Sequence, residues 1–141
     1  MRIAFLLPLF PLALLITGCP SQDELCRSGV DQVCERSFEC QPAQVQSSPQ
    51  FQAAFGTSVA DCKEKLYANP LRPAGATGIA CADVETNEQL CTNLGAPSAS
   101  DFSLSNASEC RDRRDDLSCQ DYLAQLQDPS LAPAVCADRC K

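Results

Sequence analysis

Eleven cysteines in 141 residues constrain this chain more than any other feature. Ten of them fall between Cys26 and Cys140, and the eleventh, Cys19, closes an apolar N-terminal stretch. Residues 19–141 carry only 21 Leu, Ile, Val and Phe, about 17 per cent, which with high net charge ordinarily marks a disordered chain. The cysteines reverse that reading. At about 8 per cent of residues 19–141 they match the density of small exported domains whose apolar cores are too thin to fold unaided. Ten thiols in an oxidising compartment give five disulfides, so Cys26, Cys34, Cys40, Cys62, Cys81, Cys91, Cys110, Cys119, Cys136 and Cys140 are all expected to be bonded.

The N-terminus explains the odd cysteine. Arg2 supplies a short positive region, and Ile3 to Ile16 is nearly all apolar but too short to span a ~30 Å hydrocarbon core as a permanent helix. Residues 1–18 therefore read as an export signal. Leu15-Ile16-Thr17-Gly18-Cys19 resembles the lipobox of bacterial lipoproteins, with an aliphatic residue three before the cysteine and small residues beside it. Such a site implies diacylglycerol on the Cys19 sulfur as a stable thioether, cleavage after Gly18, and acylation of the new amino terminus by a palmitate-like chain. At about 0.8 kcal/mol per buried methylene, several acyl chains anchor a domain to a membrane that it does not span. Pro20, where enteric bacteria place a retaining aspartate, favours the outer membrane. No second membrane-spanning candidate follows.

Periodicity makes the remainder, residues 19–141, a single mainly α domain with long irregular loops. Ser21-Gln22-Asp23-Glu24 has the form of a capping box, and Cys26, Val30, Val33, Cys34 and Phe38 share one face, predicting a helix from Gln22 to Glu39. Gln41 to Pro49 reads as a loop. A turn of apolar surface at Phe51, Ala54 and Phe55 stops at Gly56, and Ser58 caps a second helix that ends near Tyr67. Asn69 to Gly78, with two prolines and two glycines, is the longest connection. Thr86 to Gln89 caps a third helix closed by Gly95, Asn106 to Glu109 starts a fourth carrying Cys110 and Leu117, and Ser118 caps a fifth ending at Asp128-Pro129. Pro133 precedes a last turn with Cys136 and Cys140 on one face. Cys26 and Cys34 lie about 12 Å apart along one helix at ~1.5 Å per residue, beyond the ~7 Å limit for a disulfide, so each must staple that helix to another segment. Cys136 and Cys140 likewise need different partners. Spacing alone does not choose among the possible pairings.

Composition excludes most chemistries. Residues 19–141 hold ten basic and eighteen acidic side chains, net −8, which repels nucleic-acid phosphates. The absence of histidine and tryptophan removes the commonest acid–base catalyst, the commonest nitrogen ligand for zinc and the best sugar-stacking ring. Successive cysteines from Cys26 onward are separated by 7, 5, 21, 18, 9, 18, 8, 16 and 3 residues, with no C-x-x-C knuckle for zinc or thiol-redox work. Asp83-Val84-Glu85-Thr86-Asn87 mimics the opening of a calcium loop, but Glu88 stands where the turn needs glycine and Leu94 where it needs a bidentate glutamate. No metal or other cofactor is expected beyond the covalent lipid on Cys19. Arg111-Asp112-Arg113-Arg114-Asp115-Asp116 sums to zero and reads as a solvated helix face with pairs such as Arg111 to Asp115, Arg113 or Arg114 being available as a recognition handle. Asn106-Ala107-Ser108 matches a glycosylation sequon, which bacterial export makes incidental.

Cys34-x5-Cys40, Phe51 to Gly56, Ala60-Asp61-Cys62, Ser118 to Leu123 and Pro133-Ala134-Val135-Cys136 together resemble the cysteine-rich exported lipoproteins abundant in myxobacteria and their relatives. The resemblance spans most of residues 19–141 and implies location and architecture without an activity; Cys140 departs from it. The expected protein is thus not an enzyme. It is a lipid-anchored bacterial envelope protein with a structural or interaction role, whose partners are the membrane and an envelope protein. One alternative is a small inhibitor or ligand-binding module presenting Asn69 to Gly78 on a rigid scaffold. The other is a hydrolase working through paired carboxylates.

Overall fold

The computed structural model describes residues 19–71 and 78–141; the expected leader, residues 1–18, and the middle of the 69–78 connection lie outside the described residues. The chain is mainly helical. Its elements are α1 (Gln22–Cys40), α2 (Ala43–Gln46), α3 (Pro49–Phe55), α4 (Val59–Ala68), a 3-10 turn (Cys81–Asp83), α5 (Asn87–Asn93), α6 (Leu104–Asp115), α7 (Cys119–Gln127) and two C-terminal 3-10 turns, Pro129–Leu131 and Ala134–Arg139. Helix α1 packs along α4, α7 and the Cys81–Asp83 turn, and α6 packs on the last 3-10 turn.

Local chemistry sets most of these boundaries. The Ser21 hydroxyl accepts from the Glu24 N–H at 3.4 Å while the Glu24 carboxylate accepts from the Ser21 N–H at 2.9 Å, closing the capping box that starts α1. Pro42 holds Gln41 extended (ψ 135°) and ends it. Ser48 with Pro49 starts α3, Ser58 starts α4, Thr86 with Gln89 builds a second capping box at α5, and Ser118 starts α7. Gly56 ends α3 at φ 76°, where a Cβ would overlap the Asp61 carboxylate.

Three boundaries differ from expectation. The 41–49 segment is not all loop: α2 forms a turn there because Gln46 Nε2 donates to the carbonyls of Phe38 and Gln41 at 2.8 and 2.7 Å, satisfying orphan acceptors at the end of α1. Helix α6 starts at Leu104 rather than Asn106, because Ser103 caps it through the Asn106 N–H at 3.3 Å; it ends at Asp115, which leaves Leu117 in the following turn. Cys140 does not share a helical face with Cys136. The 3-10 turn stops at Arg139 and the chain runs extended beside Phe102, with Asp101 and Lys141 exchanging two backbone hydrogen bonds at 3.0 Å.

Sulfur dominates the interior. The main cluster is Cys26, Val30, Cys34, Cys62, Leu66, Cys81, Val84 and Leu90, and the largest fully buried side chains are Cys34, Cys62, Cys81, Cys91, Cys110 and Ser37. The disulfides are Cys26–Cys81, Cys34–Cys62, Cys40–Cys119, Cys91–Cys140 and Cys110–Cys136, with Cα separations of 5.4, 5.8, 4.9, 5.7 and 4.9 Å. Three of them fix α1, to the Cys81 turn, to α4 and to α7; the other two fasten the C-terminal tail to α5 and α6.

Candidate functional site

Cys19 is exposed and is the one cysteine outside the five disulfides; it lies two residues before the cap of α1. Among the described residues no helix is long and apolar enough to cross a membrane.

Beside this end of α1 a cavity of about 640 Å³ opens between α1, α5 and α6, with Pro20, Pro70 and Leu71 on its border. Its walls are largely apolar: Val33 on α1, Leu66 on α4, Leu90 on α5 and Leu94 at its C-cap, Phe102, and Leu104 on α6. Leu71 and Leu104 are 49% and 43% exposed, so apolar surface continues out of the cavity. Three arginines also border it, Arg111, Arg114 and Arg139, against one carboxylate, Glu24, which is engaged in the α1 cap.

The charge-rich 111–116 run is not simply a solvated face. Arg111 does not pair with Asp115; its Nη1 donates to Ser28 Oγ at 3.0 Å and its Nε lies 3.8 Å from Asp112. Asp115 instead accepts from Gln32 Nε2 at 2.7 Å. Arg113 reaches Glu109 at 3.4 Å on the outside. Arg114 turns inward onto Gln125, whose amide, assigned with its oxygen toward the guanidinium, accepts from Nη2 and Nε at 3.0 and 2.9 Å. Arg139 donates from Nε to the Cys136 carbonyl at 2.7 Å. Among the described residues neither Arg114 nor Arg139 forms a salt bridge, and residues 1–18 and 72–77 contain no Asp or Glu that could supply one. Burial lowers the pKa of Arg114, and burial together with the Arg114 charge lowers Arg139 to about 10. Arg139 had no sequence signal, lying between two disulfide cysteines; only the fold brings it to Arg114.

Of the other polar clusters, the one at the α1–α7 seam leaves Arg36 Nε, Ser37 Oγ and the Tyr122 hydroxyl buried without a hydrogen-bond partner among the described residues, and the rest pair internally. Lys63 bonds Glu35 at 2.6 Å and lies 3.4 Å from Asp31, while the Tyr67 hydroxyl donates to Asp31 beneath the Arg27 guanidinium. The hydrogen bond that Lys63 donates to Glu35 raises the pKa of Lys63, and the one that Tyr67 donates to Asp31 raises that of Tyr67. At the calcium-like Asp83–Asn87 stretch, Gln89 Oε1 accepts the Glu85 and Thr86 N–H groups at 2.8 and 3.1 Å, so this backbone serves as the α5 cap. The base of the 69–78 connection is pinned: Gly78 N–H donates to Pro70 O at 3.2 Å, and the buried Asn93 amide bonds both backbone groups of Ile79 at 2.7 and 2.8 Å. A Cβ on Gly78 would sit 2.7 Å from that Pro70 oxygen. Residues 72–77 of this expected presenting loop lie outside the described residues. No family model, curated protein or solved structure gives a significant match to the chain.

Proposed function

We propose that this chain is a lipid-anchored protein of the bacterial envelope, whose disulfide-clamped helical domain has a structural or interaction role with an envelope protein and no catalytic one. The observation that carries the reading is the partition of the cysteines: ten bond one another, and the eleventh stands exposed at the edge of the fold, where the lipobox resemblance puts the thioether. Lipid on Cys19 would hold the domain at the membrane surface with only Pro20 and Ser21 between anchor and α1. Pro20 favours the outer membrane. The test is the intact mass of the protein extracted from membranes without reductant after alkylation of free thiols. A chain beginning at an acylated Cys19, with no alkylated thiol, is the expected result; an unlipidated chain overturns the proposal.

The ligand-binding or inhibitor alternative draws support from the pinned base of the 69–78 connection, because a loop held at Pro70, Gly78 and Ile79 loses less entropy on binding than a free one. Deleting residues 72–77 should then abolish cross-linking to an envelope partner in intact cells while all five disulfides form. Unchanged cross-linking removes this alternative.

A further inference from the structure

We propose that the cavity between α1, α5 and α6 binds a long-chain fatty acid, its carboxylate held by Arg114 and Arg139 and its chain lying along Val33, Leu66, Leu90, Leu94 and Phe102. The site is independent of the lipid on Cys19. Its volume falls within the range of small-ligand pockets, and it pairs an apolar wall with a few convergent polar groups. Charge decides the ligand class. In a chain of net charge −7, two partly buried guanidinium groups border one apolar space with no carboxylate of the chain on either. Glu24, the acid on the border, already caps α1. Neighbouring cations partly withdrawn from water favour an anion between them, and a carboxylate fits the planar donor fork of arginine. Leu71 and Leu104, exposed at the mouth, extend the apolar path for the end of the chain. A neutral occupant, such as the anchor's own acyl chain or the apolar 1–18 segment, would fill the wall and leave both arginines uncompensated.

The test uses washed membranes containing the full chain, incubated with a diazirine-bearing palmitate, irradiated and analysed by peptide mapping. Label is expected on α1, α5 and Phe102, and unlabelled palmitate should displace it at roughly tenfold lower concentration than hexadecanol, which has the chain without the charge. Arg114→Gln and Arg139→Gln should each reduce labelling about tenfold with no thiol exposed. Label restricted to the exposed Val45, Leu126 and Leu131, equal displacement by the alcohol, or unchanged labelling in both variants overturns the proposal. Should either variant expose thiols, the alcohol comparison on the unsubstituted chain decides. The same digest gives the mass at Cys19, so loss of the anchor reading and loss of the fatty-acid reading are separate results.

Discussion

The disulfides have two separable duties, and removing two of them singly distinguishes the duties. Cys40–Cys119 closes a sequence separation of 79 residues, and Cys34–Cys62 one of 28. If cross-links acted only by restricting the unfolded chain, loop-closure entropy would make the first worth about 4.5 kcal/mol and the second about 3.6 kcal/mol at 25 °C. The structure offsets that difference. Cys34 and Cys62 are at 0% exposure in the centre of the core, whereas Cys40 is buried and Cys119 is partly exposed where α7 begins. Replacing both members with alanine deletes two fully buried sulfurs from the first site and one from the second, each adding about 1 kcal/mol in lost contact and residual cavity. Both double variants should therefore lose about 5.5 kcal/mol, where closure entropy alone would separate them by about 0.9 kcal/mol. Guanidinium unfolding of both variants without reductant, followed by far-ultraviolet circular dichroism, measures the difference. A loss for Cys40→Ala/Cys119→Ala larger by that full ~0.9 kcal/mol would refute the argument that sulfur serves as core.

Three further outcomes are expected. Complete reduction removes five links worth roughly 2 to 5 kcal/mol each and should abolish the helical dichroism signal; survival of that signal in excess reductant would contradict a sulfur-dependent fold. Gly56→Ala should destabilise by about 1–3 kcal/mol, because φ is 76° and the new Cβ meets Asp61, whereas Gly29→Ala, with nothing within 4 Å inside α1, should stabilise by about 0.5–1 kcal/mol; urea midpoints moving in the same direction would count against the turn geometry. Both tyrosines titrate late: the bond to Asp31 raises Tyr67, and burial raises Tyr122. The unfolded chain releases these protons first, near pH ~10, so stability falls as pH rises above that value, and tyrosinate absorbance of the folded chain should lag that of the unfolded chain. A full tyrosinate step near pH ~10 with helicity intact would contradict these environments.

What the sequence made legible was what short-range chemistry decides. The capping residues Ser21, Ser58, Thr86 and Ser118 each act within three residues, and the helices they start lie where the pattern put them. Ser103 was missed because its third residue is Asn106, which lacks the reciprocal side chain of a capping box. Helix α2 was missed because its support comes from the end of α1, through Gln46, and has no periodic signature. Cys140 was misplaced because its backbone is set by pairing with residues 101–103, some forty positions away. The arginine pair was hidden for the same reason: Arg114 stands in a run whose charges sum to zero, and Arg139 reaches it only after Cys110–Cys136 has drawn the tail onto α6.

The disulfides also bear on why a chain so poor in large apolar residues can keep a cavity open. A domain with few aliphatic side chains would ordinarily collapse them together, since each apolar group left on an open surface forgoes about 25 cal/mol per Å². Here cystine occupies the centre, and Leu94 and Phe102 pack against it from one side while lining the cavity on the other. The cavity is bounded by segments that cross-links hold: α1 through Cys26, α5 through Cys91, and α6 through Cys110. Collapse of these walls toward one another would strain three disulfides at once, so the scaffold that replaces the missing core also resists closure of the space beside it.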